Sequence, residues 1–177
     1  MRHSSLGILL ALIAINDLHL EHMDVKTTFL HGELDEMIVI AQPESYVNPE
    51  KADHFCHLKK SLYGLKQSPR QWYLRFDGFI VESSFQRCSF DCCVYHKNLE
   101  EYSKIYLLFY VNDILIVCKN MDQINELKQR LKNAFDIKDL GAAKKILRVD
   151  LIRDRKKYIL RLKQHNYIKK KYLKCLK

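Results

Sequence analysis

No stretch of this chain is apolar for long enough to cross a bilayer, which takes about twenty residues. The run Leu6–Ile15 is ten residues long. Arg2 before it imitates the charged start of a signal peptide, but a buried helix capped by Ser4 or Ser5 and closed at Asn16-Asp17 accounts for it without export. Regular cysteine spacing is missing as well. The six cysteines (56, 88, 92, 93, 118 and 175) form no disulfide framework, and several lie in apolar surroundings where a free thiol behaves as a small hydrophobe. Cys88, Cys92, Cys93 and His96 lack the second donor pair that a zinc site of ordinary spacing needs. A reducing compartment follows, cytoplasmic or nuclear and not secreted, with no membrane partner. Neither a GxGxxG nor a P-loop occurs, which argues against a doubly wound nucleotide-binding fold. Acidic residues are nearly absent from the end of the chain. Residues 153–177 hold eleven Lys/Arg against the single Asp154, a balance of +10, which leaves −1 for residues 1–152 of the total of +9. Such a tail suits a polyanion, or simply makes a solvated helix face.

What is present reads as an alternation of both periods. At 177 residues and 47 % hydrophobic, the chain is long enough for one respectable core. His19–Val25 alternates as a strand that delivers Asp24 to its end, and Met37–Ala41 is a second short strand. Glu44–Asp53 is polar and reads as a loop. Ser68-Pro69 opens a helix as N-cap and first-turn proline, with Trp72, Phe76, Phe79 and Ile80 on its buried stripe. Cys92–His96, Ile105–Tyr110 and Ile114–Val117 are strands, the last two joined so closely that they form a hairpin with an acidic residue at its tip. Met121-Asp122 caps a helix whose Ile124, Leu127, Leu131, Ala134 and Phe135 share one face. Lys145–Ile152 and Lys157–Leu162 are further strands before a basic helix from Gln164. The fold class is α+β with antiparallel pairing.

Asp24 and Asp113, about ninety residues apart, are the candidate pair of metal-ligating carboxylates. Two-metal nucleotidyl transfer requires carboxylates from separate strands meeting at one sheet edge, with the metals about 3.5–4 Å apart. Mg²⁺ takes hard anionic oxygens of that kind. Read alone, an Asp at a strand end or in a turn is ordinary turn chemistry.

The surroundings of these residues resemble the reverse transcriptase of Ty1/copia-type retrotransposons. The likeness runs through Ile8–Leu12, Leu20-Glu21, Asp24-Val25-Lys26-Thr27 and Phe29–Leu34. It continues in Lys59–Tyr73, then Asp91 with Cys93-Val94-Tyr95, then Tyr106–Val111 with Asp113. Phe135, Lys138–Ala142 and Ile146-Leu147 complete it. The resemblance implies the palm and part of the fingers of a right-hand polymerase over 1–177, with a leading helix in 1–18 and the basic segment in 153–177. It implies RNA-directed DNA polymerase activity on an RNA template, a DNA primer and deoxynucleotides, with Mg²⁺ held at Asp24, Val25 and Asp113. Phe29 would exclude a ribose 2′-hydroxyl, or simply pack in the core. Tyr63, Gly64, Lys66, Gln67, Ser68, Pro69 and Arg70, with Tyr110, would meet nucleotide and nucleic acid, Lys66 and Arg70 through phosphates.

The departures from the family matter equally. Where the family has a second Asp, this chain has Asn112, whose one neutral carbonyl oxygen binds Mg²⁺ more weakly than a carboxylate. Thr28 replaces a small residue beside Phe29, Gly7 stands in place of Arg, and Arg148 in place of Gly. The chain is also expected to be truncated, without upstream finger strands or a ribonuclease H segment. It therefore reads as a degenerate reverse transcriptase with impaired or no activity, or else as a non-catalytic nucleic-acid-binding or interaction relic.

Overall fold

The computed structural model describes residues 2–100, 103–147, 149–164 and 168. The chain divides into two compact units, Met1–Lys26 with Phe85–Lys177, and Thr27–Ser84.

The first unit is built on a six-stranded sheet. Its strands are β1 (His19–Val25), β4 (Gln86–Cys88), β5 (Asp91–Asn98), β6 (Lys104–Tyr110), β7 (Asp113–Cys118) and β8 (Ile137–Ala142), in the order β4-β5-β6-β7-β1-β8. Every pairing is antiparallel. β1 thus lies inside the sheet, between two strands that follow it in sequence by about ninety residues or more. Side chains alternate across it, so Leu20, His22 and Asp24 share one face and Glu21, Met23 and Val25 the other.

Helix α1 (His3–Ile15) covers part of the first face, where Leu6, Leu9, Leu10 and Ile13 bury against Leu20, Leu108, Leu115 and Val117. Its apolar run is only half hidden, since Ile8 and Ile15 are 63 % and 73 % exposed. The expected cap at Ser4 or Ser5 is not found. Both lie inside the helix, and Arg2 is the N-cap, without a side-chain capping bond. Among the described residues no helix is long and apolar enough to cross a membrane.

Helix α3 (Met121–Ala134) lies against β7 and β8 on the other face, burying Ile124, Leu127 and Leu131. Its cap is Asn120, one residue before the expected start, and the Asn120 side chain accepts from the Asp122 N–H at 2.7 Å. The opposite face of β1 meets α3 through an ion network. Lys128 Nζ lies 2.7 Å from Glu21 and 2.9 Å from Asp139, which also takes Lys132 at 3.2 Å.

The remaining strands of this unit, β9 (Lys145–Ile146), β10 (Val149–Asp154) and β11 (Ile159–Lys163), form a separate antiparallel sheet. The single strand expected over Lys145–Ile152 is therefore two, turning near Leu147, whose φ is +46°. Arg153 and Arg155 anchor this sheet on Asp17, with contacts of 2.7 Å and 2.9 Å. Beyond Gln164 and Ile168 the expected basic helix lies outside the described residues, as do Arg148 and Cys175.

The second unit holds the ribbon of β2 (Val39–Ala41) with β3 (Phe55–His57), and helix α2 (Ser68–Glu82). β2 is shorter than expected, and the loop expected over Glu44–Asp53 contains two short 3-10 turns. Ser68 is the first residue of α2, not its cap. Its hydroxyl donates to the Leu62 carbonyl, accepts from Ser61 at 2.5 Å, and so fixes the turn before the helix. Gly32 packs so tightly on α2 that a Cβ there would come 2.9 Å from that of Gln71.

Candidate active site

The register of β1 on β7 sets Asp24 directly across from Asp113. Both carboxylates leave the same face, a few ångströms apart in an antiparallel ladder, and like charges so placed repel. The hairpin between β6 and β7 supplies the third position. Tyr110 pairs with Asp113, which leaves Val111 and Asn112 as a two-residue connection. Asp113 is therefore the first residue of β7, and Asn112 occupies the tip where an acidic residue was expected. Val111 takes φ +57° at the first central place of this turn, where glycine is usual. A β-branched residue in that region is strained by about 1–3 kcal/mol.

Two hydrogen bonds latch the tip to the end of β1. The Val25 N–H donates to the Asn112 carbonyl at 2.9 Å, and the Asn112 side-chain amide donates to Asp24 Oδ1 at 2.5 Å. The opposite amide orientation would set two oxygens against each other at that distance. Asp113 has its own donor, because His22 Nε2–H reaches Asp113 Oδ1 at 2.8 Å. His22 leaves the same face of β1 as Asp24. Sequence reasoning passed over it as one more residue of an alternating strand, though its position two before Asp24 was the available signal.

A cleft of about 580 Å³ opens over this constellation, lined among others by His22, Tyr110, Asn112, Asp113, Lys144 and Lys145. The lining mixes these polar and charged groups with the apolar Leu140, Ala142, Ile146 and Leu147. In the second unit the structure brings Phe29 and Tyr63 together, ring centroids 4.7 Å apart and edge to face. Tyr63 is largely exposed, Gly64 sits at φ +98°, and Lys66, Pro69 and Arg70 are exposed on the turn into α2, with Gln67 half-buried. Thr28 is buried at 2 % exposure, and Gly7 faces open space in α1, leaving room for a longer side chain.

The match to known proteins follows this pattern. A family model described as reverse transcriptase (RNA-dependent DNA polymerase) matches residues 1–175. The chain belongs to the reverse transcriptase family. The retrovirus-related Pol polyprotein from transposon TNT 1-94 of Nicotiana tabacum is 45 % identical over 96 % of this chain and 13 % of its own length. The corresponding polyprotein from transposon RE1 of Arabidopsis thaliana is 28 % identical over 92 % of the chain and 12 % of its length. This reverse transcriptase segment therefore spans roughly an eighth of those polyproteins. Among solved structures, an apo telomerase from Candida tropicalis, truncated from its C-terminal domain, is similar over 92 % of this chain and 40 % of that chain, with 11 % identity and a TM-score of 0.48.

Reverse transcriptases generally use divalent metal, and the resemblance would place it at Asp24 and Asp113. Two Mg²⁺ ions bring four positive charges and ask for several anionic oxygens. Here two carboxylates face each other, and each has an oxygen committed to a donor from within the chain. The third position offers an amide whose nitrogen, not its oxygen, points at Asp24. These residues, as arranged, do not fit a Mg²⁺ pair.

Proposed function

We propose that this chain is the palm, with part of the fingers, of a copia-type retrotransposon reverse transcriptase whose two-metal nucleotidyl transfer is disabled at position 112, while its nucleic-acid surface is kept. The reading rests on one observation, the 2.5 Å hydrogen bond from the Asn112 amide to Asp24. An aspartate at 112 would add a third carboxylate and leave the cluster in need of a cation. Asparagine instead supplies a donor, so the repulsion between Asp24 and its neighbours is relieved without metal. The disabled step is the attack of a primer 3′-hydroxyl on a deoxynucleotide, directed by an RNA template.

The remaining parts support nucleic-acid binding. Exposed Lys66 and Arg70 meet backbone phosphates, Tyr63 offers a ring for stacking, and Phe29 beside it selects against a 2′-hydroxyl. Tyr110, Lys144 and Lys145 line the cleft beside Asp113, where a primer end would lie. Gln67, Ser68 and Pro69 shape the turn that presents these groups. Binding of this kind weakens steeply as salt rises.

Primer extension on an RNA template, at low salt with Mg²⁺, compares the chain with its Asn112→Asp variant. The variant is expected to extend primers about 10²–10³-fold faster, the range for restoring one electrostatic group at a reacting centre. Equal extension by both would overturn the reading. Silence from both, with salt-sensitive binding of primer–template retained, would favour the second reading, a nucleic-acid-binding relic.

A further inference from the structure

Asp91, Cys92 and Cys93 are consecutive in β5, and in a regular strand their side chains would leave alternate faces. β5 pairs with β4 at Gln86–His96 and Arg87–Tyr95, and then the register breaks so that Cys88 faces Asp91. Residues 92–94 are thereby surplus on the β4 side, as in a bulge. The result is convergence: a carboxylate oxygen and both sulfurs lie within 4.8 Å of one another. Among the described residues no other trio of His, Cys, Asp or Glu gathers so closely.

The carboxylate is both buried and aimed. Asp91 is 5 % exposed, accepts the Arg2 backbone N–H at 2.7 Å on Oδ2, and accepts the Cys93 N–H at 3.0 Å on Oδ1. The Ser5 side chain bonds to it as well, and hydrogen bonds of this kind orient ligating carboxylates in metal sites. Cys92 is exposed and Cys93 half-buried, which leaves an entry path.

We infer that Asp91, Cys92 and Cys93 form a site for one thiophilic divalent cation of the Zn²⁺ class. Two sulfurs and one carboxylate oxygen suit Zn²⁺ and disfavour Mg²⁺ or Ca²⁺, and three protein ligands leave the fourth tetrahedral position to water. On binding, both S–H bonds break, two S–metal bonds form and both protons pass to solvent, with no change of oxidation state. The spacing of Cys88, Cys92, Cys93 and His96 spoke against zinc because it was read with those four as donors. The bulge brings in Asp91 instead. This site is independent of the polymerase chemistry proposed above.

Titration of the reduced full chain with Cd²⁺, followed by thiolate-to-metal absorption in the ultraviolet and by displacement with Zn²⁺, tests the inference. One ion per chain is expected. Cys92→Ser and Cys93→Ser should each weaken binding at least about tenfold, the loss that disturbing even an outer partner of a metal ligand brings. Cys56→Ser and Cys88→Ser should bind as the unaltered chain does, with circular dichroism confirming the fold of every variant. Undiminished binding by the Cys92→Ser/Cys93→Ser double variant overturns the site, and so does a reduced chain that takes up no Cd²⁺.

Discussion

Glu21 and Asp24 lie three residues apart on β1 and leave opposite faces of one sheet, and the fold treats their carboxylates in opposite ways. Glu21, 7 % exposed, meets the ammonium of Lys128, itself 5 % exposed, at 2.7 Å, and Asp139 shares that ammonium. Burial works against the Lys128 charge, yet hydrogen bonds to Glu21 and Asp139 outweigh it and hold the ammonium above its ordinary range. Burial would likewise raise Asp139, but bonds from Lys128, the Gly141 N–H and Lys132 prevail and bring it down to about 2. That face carries its own counter-charge. The Asp24 face faces a second carboxylate and receives an amide and an imidazole, with no lysine or arginine bonded to either carboxylate among the described residues. One face is complete with ammonium groups of its own, whereas the other meets its carboxylates with an amide and an imidazole.

Breaking the complete face should have the largest effect. Lys128→Met leaves Glu21 buried without its partner and is expected to cost about 3–5 kcal/mol, read by urea unfolding. A loss under about 1 kcal/mol would mean the network is as solvent-like as a surface pair. Next comes the site face. Asn112→Asp adds a like charge beside Asp24, so without divalent ions the variant should melt below the parent, and millimolar Mg²⁺ should raise its melting temperature alone. An identical Mg²⁺ response in both proteins would erase the distinction between the faces.

The acid limb sharpens the comparison. Asp139 has a depressed pKa in the fold, so its contribution is present above the unfolded carboxylate range and is lost as pH falls from about 4 through about 2. Asp139 is exposed, so solvent screening reduces that contribution to about 1 kcal/mol. Asp139→Asn should flatten the stability profile over that interval, and a profile unchanged from the parent would move the weight of acid unfolding elsewhere. The smallest effect belongs to the turn. Val111→Gly, which removes a β-branched side chain from φ +57°, should stabilise by roughly 1 kcal/mol after the entropy of glycine is counted. Destabilisation would show that packing of the valine outweighs its backbone strain.

The elements that announce themselves by period were legible in the residues. The hairpin of β6 and β7, the stripe of α2 and the strand leading to Asp24 all appear where alternation or helical spacing placed them. β3, β4 and β8 were not legible as strands. Phe55–His57 and Gln86–Cys88 are only three residues each, too short for a period to emerge. β8 carries Lys138, Asp139 and Gly141, residues poor in strand propensity, and is held by pairing with β1 across a bulge at Leu140. Lys128 was hidden for a related reason. A lysine at the margin of an apolar stripe reads as solvated until Glu21, 107 residues away, is brought to it. At the site, Asp24, Asn112 and Asp113 stood out only through the family likeness; the position of His22 two before Asp24 puts it on their face, but its bond to Asp113 runs along a diagonal across β1 and β7.

The place of β1 in the sheet also sets an order of events in folding. Its neighbours β7 and β8 begin at Asp113 and Ile137, so a chain growing from its amino terminus makes β1 long before either edge can be satisfied. Closing loops of that length raises the contact order and slows folding, while the apolar flank of α1 stays uncovered. The strand that bears Asp24 is therefore made early and seated late, and aggregation during synthesis is a hazard built into the topology.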